Sequence, residues 1–105
     1  MATAELNGAA ITDSSSFHAA CKAAMGFPDT YGNSMDALVD CLSYLRDDDS
    51  MSKFRLKPNE VLEIVIKDAG AMQPDILEEL TYCLAGLNER YEDYGEKPAL
   101  KLTLR

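Results

Sequence analysis

The chain has 105 residues, enough for a single compact domain that buries roughly two-thirds of the surface its unfolded form exposes. Its 10 basic and 18 acidic residues give a net charge of -8, which repels the phosphates of nucleic acids and attracts basic proteins. We therefore expect one domain over residues 1–105 and no nucleic-acid binding, and a basic protein becomes the favoured class of partner.

The first elements predicted along the chain are a short strand and a helix. Residues 5–8 end in an Asn-Gly turn, which predicts a brief edge strand. The serines at 14–16 are suitable N-caps, because their hydroxyls accept hydrogen bonds from the free amides of a first turn. Four apolar residues then recur at helical spacing: Phe17, Ala20, Cys21 and Ala24. This helix is predicted to end at Gly26 and Pro28.

A loop over residues 28–32 leads into a second predicted helix with two distinct faces. Asn33 is the expected N-cap, with Asp36 three positions later in the manner of a capping box. The buried stripe consists of Leu38, Cys41, Leu42 and Leu45. Asp36, Asp40 and Tyr44 recur at i, i+4 and i+8, so they lie on a different, outward face. Two carboxylates one turn apart on a helix surface favour the binding of cationic groups.

The middle of the chain changes character at two points. Residues 46–60 have no sustained hydrophobic period and are rich in charge, which predicts a long inserted loop. Residues 61–66 are rich in β-branched side chains and almost continuously apolar. Such a run is typical of a strand that is covered on both faces, and we predict that it is the central strand of the sheet.

The last part of the chain predicts a long helix followed by a strand. Pro74 is well placed as a first helical residue, and apolar residues keep helical spacing for about four turns as far as Tyr91. Gly95 and Pro98 are expected to end this helix. Residues 100–104 alternate between leucine and polar residues, as a strand with one polar face does. Strands separated by helices favour a small parallel sheet with right-handed crossovers, and hence an α/β fold.

The residues that most often bind metals or react do not form a recognisable site. Cys21, Cys41 and Cys83 are odd in number and lie within apolar segments, so we interpret them as reduced core thiols. His18 is the only histidine, so the sequence lacks the ligand spacing of a zinc site. We expect the His18 side chain to lie at the helix surface or to be partly packed, and not to form a catalytic pair with Cys21. The acidic run 47–49 lacks the pattern of a calcium loop. We predict no metal and no cofactor.

The sequence also bears on the compartment. The first residues have neither a basic region nor an apolar one of the kind found in signal peptides. No apolar run reaches the length that spans a membrane. The expected location is the cytoplasm, with no membrane partner.

Asp36 and Asp40 allow three interpretations. They could form a charged binding surface, serve only solvation and helix capping, or act as an acid and base pair whose pKa values differ. The last requires a closed pocket, because carboxylates on an open helix face remain in water. A binding surface is the interpretation that we favour, and we predict no enzymatic activity.

The run from Pro28 to Leu42, Pro-x-x-Tyr-Gly-x-x-x-Asp-Ala-Leu-x-Asp-Cys-Leu, resembles the barstar family of intracellular ribonuclease inhibitors. It is preceded by Leu-Asn-Gly at residues 6–8 and by His18, and the resemblance extends without gaps over residues 2–44. It implies a three-stranded parallel sheet packed with helices, and a function of blocking a basic bacterial ribonuclease. In the family, the counterpart of Asp40 mimics a substrate phosphate and the counterpart of Asp36 lies beside it.

The resemblance also implies which other residues meet the partner. The expected contact residues are Tyr31, Gly32, Asp36, Val39, Asp40 and Tyr44. A further acidic contact late in the chain is expected from among Glu89, Glu92, Asp93 and Glu96. Thr30 and Val39 replace aromatic residues of the family, and Asn33 replaces an acidic one. We therefore expect weaker binding to the best-known ribonuclease or a different target; the alternative is a related module that does not inhibit a nuclease.

Overall fold

The computed structural model describes residues 2–48 and 50–105. Its strands and helices are, in chain order, β1 (Ala2–Asn7), α1 (Ser14–Met25), α2 (Met35–Leu42), β2 (Leu62–Lys67), α3 (Pro74–Asp93) and β3 (Leu100–Leu104). Two single turns of 3-10 helix, Gly8–Ala10 and Ala69–Ala71, follow β1 and β2. The predicted α/β fold is confirmed, and β1 is longer than the strand expected over residues 5–8.

The three strands form one parallel sheet in the order β1-β2-β3, so the apolar strand β2 is central as predicted. Ala4 pairs with Ile64, and Ile64 pairs in turn with Leu102. The two turns after β1 and β2 approach each other closely. A side chain at Gly8 would lie 2.6 Å from the carbonyl oxygen of Asp68, so only glycine fits there.

The sheet has one apolar face and one polar face. The buried residues of the apolar face are Ala4, Leu6, Leu62, Ile64, Ile66 and Leu100, and they join side chains of all three helices in one core. On the other face Val65 is also buried, but its cross-strand neighbours are Glu5 and Thr103. Glu5 pairs with Lys67 at 2.8 Å, and Thr103 donates to Glu63 at 2.6 Å. The prediction that packing covers both faces is therefore wrong for this face, where hydrogen-bonded polar side chains border solvent.

The boundaries of α1 and α3 follow known capping rules. Asp13, not a serine, caps α1: its carboxylate accepts from the amide of Ser16 at 2.8 Å, and the Ser16 hydroxyl accepts from the amide of Asp13. Gly26 ends α1 in the left-handed conformation, with φ of 66°, as the sequence predicted. Pro74 begins α3, where its missing amide hydrogen costs nothing.

The N-terminus of α2 differs from the prediction by one residue. Ser34 is the N-cap, and its hydroxyl accepts from the amide of Ala37 at 3.1 Å. Asn33 precedes it with φ of 52°, a left-handed conformation that asparagine tolerates better than most residues. The capping box expected from Asn33 and Asp36 is thus absent. Asp36 lies in the first turn, where its charge is favoured by the helix dipole without a capping bond.

The segment 46–60 contains turns but no helix or strand among the residues that the structure describes, which leave out Asp49. It is attached to the domain at several points. The amide of Lys53 donates to the carbonyl of Met25 at 2.9 Å, and that of Leu56 donates to the carbonyl of Leu45 at 2.7 Å. Leu56 is buried in the core. That this segment is an insertion into the domain remains a prediction.

Candidate protein-binding site

Asp36 and Asp40 both lie on the exposed side of α2, as their spacing predicted. The opposite side of the helix is buried through Leu38, Cys41 and Leu42. Neither carboxylate is within 4 Å of a lysine or arginine nitrogen in the described part of the chain. The protein therefore presents two negative groups to solvent that its own described cations leave unpaired.

The loop before α2 is held in place by Tyr31. This side chain is only 7% exposed, and its ring contacts that of Phe27 with centroids 4.8 Å apart. Its hydroxyl lies 2.7 Å from Nδ1 of His18 on α1. Gly32 follows on the surface, and a side chain there would meet only the Cβ of Ala37 at 3.5 Å. Tyr31 thus fixes the loop from inside, and Gly32 is among the loop residues that remain exposed.

His18 is more deeply buried than the sequence predicted. The ring is 2% exposed and packs against Phe17 as well as Tyr31. The helical pattern misses this, because the buried space at His18 exists only once the loop folds over α1. Burial raises the pKa of the Cys21 thiol to about 12, so the thiol stays protonated and unreactive. The structure therefore gives no support to a nucleophilic pair of His18 and Cys21.

We expect the stability of the protein to fall as the pH decreases below 6.5, because burial lowers the pKa of His18 in the folded state, with Glu79 opposing this in part. The unfolded chain then binds a proton that the folded one resists, so stability is complete above about 6.5 and is lost through the lower folded pKa. Urea unfolding between pH 5 and 8 would measure this. His18→Gln should flatten the profile in that window, since His18 is the only histidine; an unchanged slope would contradict the assignment.

Val39 and Tyr44, two further predicted contact residues, lie at the C-terminal end of α2. Val39 is half-buried against the core, and its carbonyl accepts from the Ser43 hydroxyl at 2.6 Å. The helix ends at Leu42, so Tyr44 lies just beyond it and not on a continuous helical face. Its side chain is nevertheless 44% exposed.

The side of α3 next to α2 adds residues that the sequence did not single out. Burial raises the pKa of the half-buried Cys83 thiol, and the nearby charges of Glu79 and Asp36 raise it further. Glu79 precedes Cys83 by four positions on α3, so both lie on the same side of that helix. Farther along, Arg90 donates to the Ser43 hydroxyl at 3.4 Å, close to the C-terminal end of α2. The two helices thus run in roughly the same direction, and Glu79 and Arg90 border opposite ends of the α2 surface.

Two of the late acidic residues that the sequence suggested, Glu89 and Glu96, are less well placed to extend this surface. Glu89 is nine positions from the buried Leu80, about 180° around the helix and on the outer side. Glu96 already pairs with Arg46 at 3.3 Å. Sequence reasoning missed Glu79 because helical spacing places it beside the buried stripe of α3 but does not say which element borders that side. Only the packing of α3 against α2 does so.

A cleft of about 280 Å³ separates the C-terminal ends of α2 and α3. Its lining residues are Ser43, Tyr44, Arg46, Asp47, Leu87, Arg90, Tyr91, Tyr94 and Glu96. Arg46 forms the floor with its guanidinium 5.3 Å from the centre of the Tyr91 ring. The hydroxyl of Tyr91 donates to the carbonyl of Leu42 at 2.7 Å, which joins the two helices beneath the cleft.

A family model described as Barstar (barnase inhibitor) matches residues 1–103 of the chain. The chain belongs to the barstar family. The match extends well beyond the resemblance over residues 2–44 and includes β2, α3 and most of β3. No individual curated protein is similar enough to add to this assignment.

The barstar family is a family of inhibitors and not of enzymes. The exposure of Asp36 and Asp40 agrees with that, because an acid and base pair would need a closed pocket. Among the described residues, no group of three or more His, Cys, Asp or Glu is arranged to hold a metal ion. No helix in the same part of the chain has the length and hydrophobicity needed to cross a membrane.

Proposed function

We propose that the protein inhibits a basic ribonuclease by inserting Asp36 and Asp40 into its active site, in place of substrate phosphates. The observation that supports this most directly is the pair of exposed carboxylates on α2, one turn apart and unpaired among the described residues. A carboxylate that enters a desolvated basic pocket makes short charge-assisted hydrogen bonds. The family description agrees with this activity.

The geometry of the free protein supports tight binding, because little has to be ordered on association. Ser34 fixes the start of α2, and the buried contact between Tyr31 and His18 fixes the loop before it. Both carboxylates are therefore presented by a pre-formed element, which lowers the entropic cost of binding. The net charge of -8 would also attract a basic enzyme at long range and speed its encounter at low salt.

Gly32, Val39 and Tyr44 surround the carboxylates in this proposal. Gly32 allows the partner to approach the loop backbone, Tyr44 supplies an exposed ring, and Val39 lies half-buried against the core. Tyr31 contributes by holding the loop, since its own side chain is buried. Val39 and Thr30 offer less contact area than aromatic residues would, which agrees with a target other than barnase or with weaker binding to barnase.

The decisive experiment is an RNA-cleavage assay with the purified protein and barnase, extended to basic ribonucleases recovered from the host at low salt. Inhibition at a stoichiometry of one to one, weakened by high salt, would support the proposal. Binding to a basic protein without protection of RNA would instead support a module that has lost inhibition, an alternative that the family match does not favour. The proposal places the protein in the cytoplasm, where its three free thiols would remain reduced.

We expect Glu79 to contribute a third negative charge to the same surface. Glu79→Gln should weaken ribonuclease binding by about 0.2–1 kcal/mol, the range for an exposed charge pair, mainly through slower association. Glu89→Gln removes the same charge from the outer side of α3 and provides the matched control. Stopped-flow association rates at two salt concentrations would measure both. Equal losses for the two variants would exclude Glu79 from the contact surface.

A further inference from the structure

Arg90 is a cation at the edge of an otherwise acidic surface. It is exposed in the last turn of α3, on the side next to α2. In the described part of the chain it forms no ion pair, although Asp47 and Glu96 line the same cleft. Its hydrogen bond to the Ser43 hydroxyl is long, at 3.4 Å. The fold of the protein therefore makes little use of this guanidinium.

The surroundings of Arg90 resemble the centre of a protein interface more than a solvated helix side. Tyr44 is 44% exposed and Tyr94 is 78% exposed, and both line the cleft with Arg90. Tyrosine and arginine are, with tryptophan, the residue types enriched among those that contribute large binding energies at interfaces. Arg46, whose side chain is 5% exposed, adds a second cation at the floor, and its buried Nε has no hydrogen-bond partner.

We infer that Arg90 selects the target, by pairing with a carboxylate that the ribonuclease presents at the rim of its basic cleft. This inference rests on the proposed function. A guanidinium that loses water on binding needs an anionic partner, because an unpaired buried charge is strongly unfavourable. Against a rim that is basic throughout, Arg90 would repel the enzyme while Asp36 and Asp40 attract it. Specificity of this kind combines attraction to one partner with repulsion of others.

Barnase and a set of its single variants, each with one basic residue near the active site replaced by glutamate, provide the probe. Binding to each is measured for the wild-type protein and for R90E, R90Q, K101E and D40A. Lys101 is exposed on β3, so K101E makes the same change of charge away from the candidate surface. Melting temperatures of the free variants show whether each remains folded.

The expected result is that at least one glutamate variant of barnase binds the wild-type protein at least tenfold more tightly than barnase does. That gain should disappear in R90Q, reverse in R90E and persist in K101E. The inference is overturned if R90E and K101E behave alike towards every barnase variant, or if no variant is bound more tightly than barnase. Failure of the proposed function looks different: D40A would then bind each form of barnase as well as the wild-type protein does.

Discussion

Asp40→Ala is expected to weaken binding to the target ribonuclease by about 3 kcal/mol or more, since truncating one partner of a buried charge pair typically costs 2–5 kcal/mol. This corresponds to more than about a hundredfold in the dissociation constant. The loss should appear mainly as faster dissociation, because the phosphate-like contact forms only in the docked complex. Surface plasmon resonance or inhibition kinetics at fixed ionic strength would measure it.

The same substitution should leave the free protein as stable as before, or slightly more so. Asp40 is exposed and lies in the last turn of α2, where a negative charge is unfavourable to the helix dipole by about 0.3–1 kcal/mol. Asp36 lies in the first turn, where its charge is favourable, so Asp36→Asn should be slightly destabilising by a similar amount. A loss of affinity without a loss of stability would show that Asp40 serves binding and not folding.

Glu89→Gln provides a control for charge alone, because Glu89 is exposed on the outer side of α3. It should change affinity by only a small electrostatic amount that disappears at high salt. If Asp40→Ala and Glu89→Gln cause equally small losses, the phosphate-mimic mechanism is wrong. A large fall in the melting temperature of free Asp40→Ala would also contradict the role given to this residue.

Arg46→Met is expected to destabilise the protein by about 3 kcal/mol. This is the lower end of the roughly 3–5 kcal/mol cost of removing one partner from a buried ion pair, and the upper end of the cost of about 1.5–3 kcal/mol for losing one hydrogen bond to a charged group. The Arg46 guanidinium donates to the carbonyls of Lys97 at 2.7 Å, Glu60 at 3.0 Å and Pro98 at 3.3 Å. It also pairs with Glu96 at 3.3 Å. This one side chain therefore joins the start of segment 46–60 to its end and to the α3–β3 loop.

Chemical denaturation with both fluorescence and circular dichroism would measure the effect of Arg46→Met. Arg55→Met is the matched control, because Arg55 is exposed and, among the described residues, makes a single hydrogen bond, at 3.1 Å, to the carbonyl of Asp48. It should change the free energy of unfolding by less than about 0.5 kcal/mol. A loss below about 1 kcal/mol for Arg46→Met would mean that water replaces the guanidinium at these carbonyls.

Much of the fold was predictable because its elements have strong local signals. The apolar run of β2, the alternation of β3 and the spacing in α3 each correspond to an element in the structure. Proline at the start of α3 and glycine after α1 act through their own backbone geometry, so their effects need no tertiary context. Capping was less predictable. Asp13 and Ser34 displaced the expected caps by one position each, because several neighbouring residues have side chains able to cap.

The environments of individual polar side chains were harder to predict. The spacing of residues in α1 gives no sign that the His18 ring is buried, because the side chain that covers it, Tyr31, comes from a later loop. The second face of β2 was misjudged for a related reason. A buried valine flanked by paired polar side chains has the same apolar sequence signature as one beneath a helix.

The sequence by itself determined that α2 presents Asp36 and Asp40 to solvent, because helical periodicity separates them from the apolar stripe of the same helix. Only the tertiary structure decided what borders them. The packing of α3 beside α2 brings Glu79 close to one end of this surface and Arg90 to the other, although both are more than 40 residues from Asp36 in the chain. Such neighbours depend on how two amphipathic helices orient on a shared sheet, which no local pattern records.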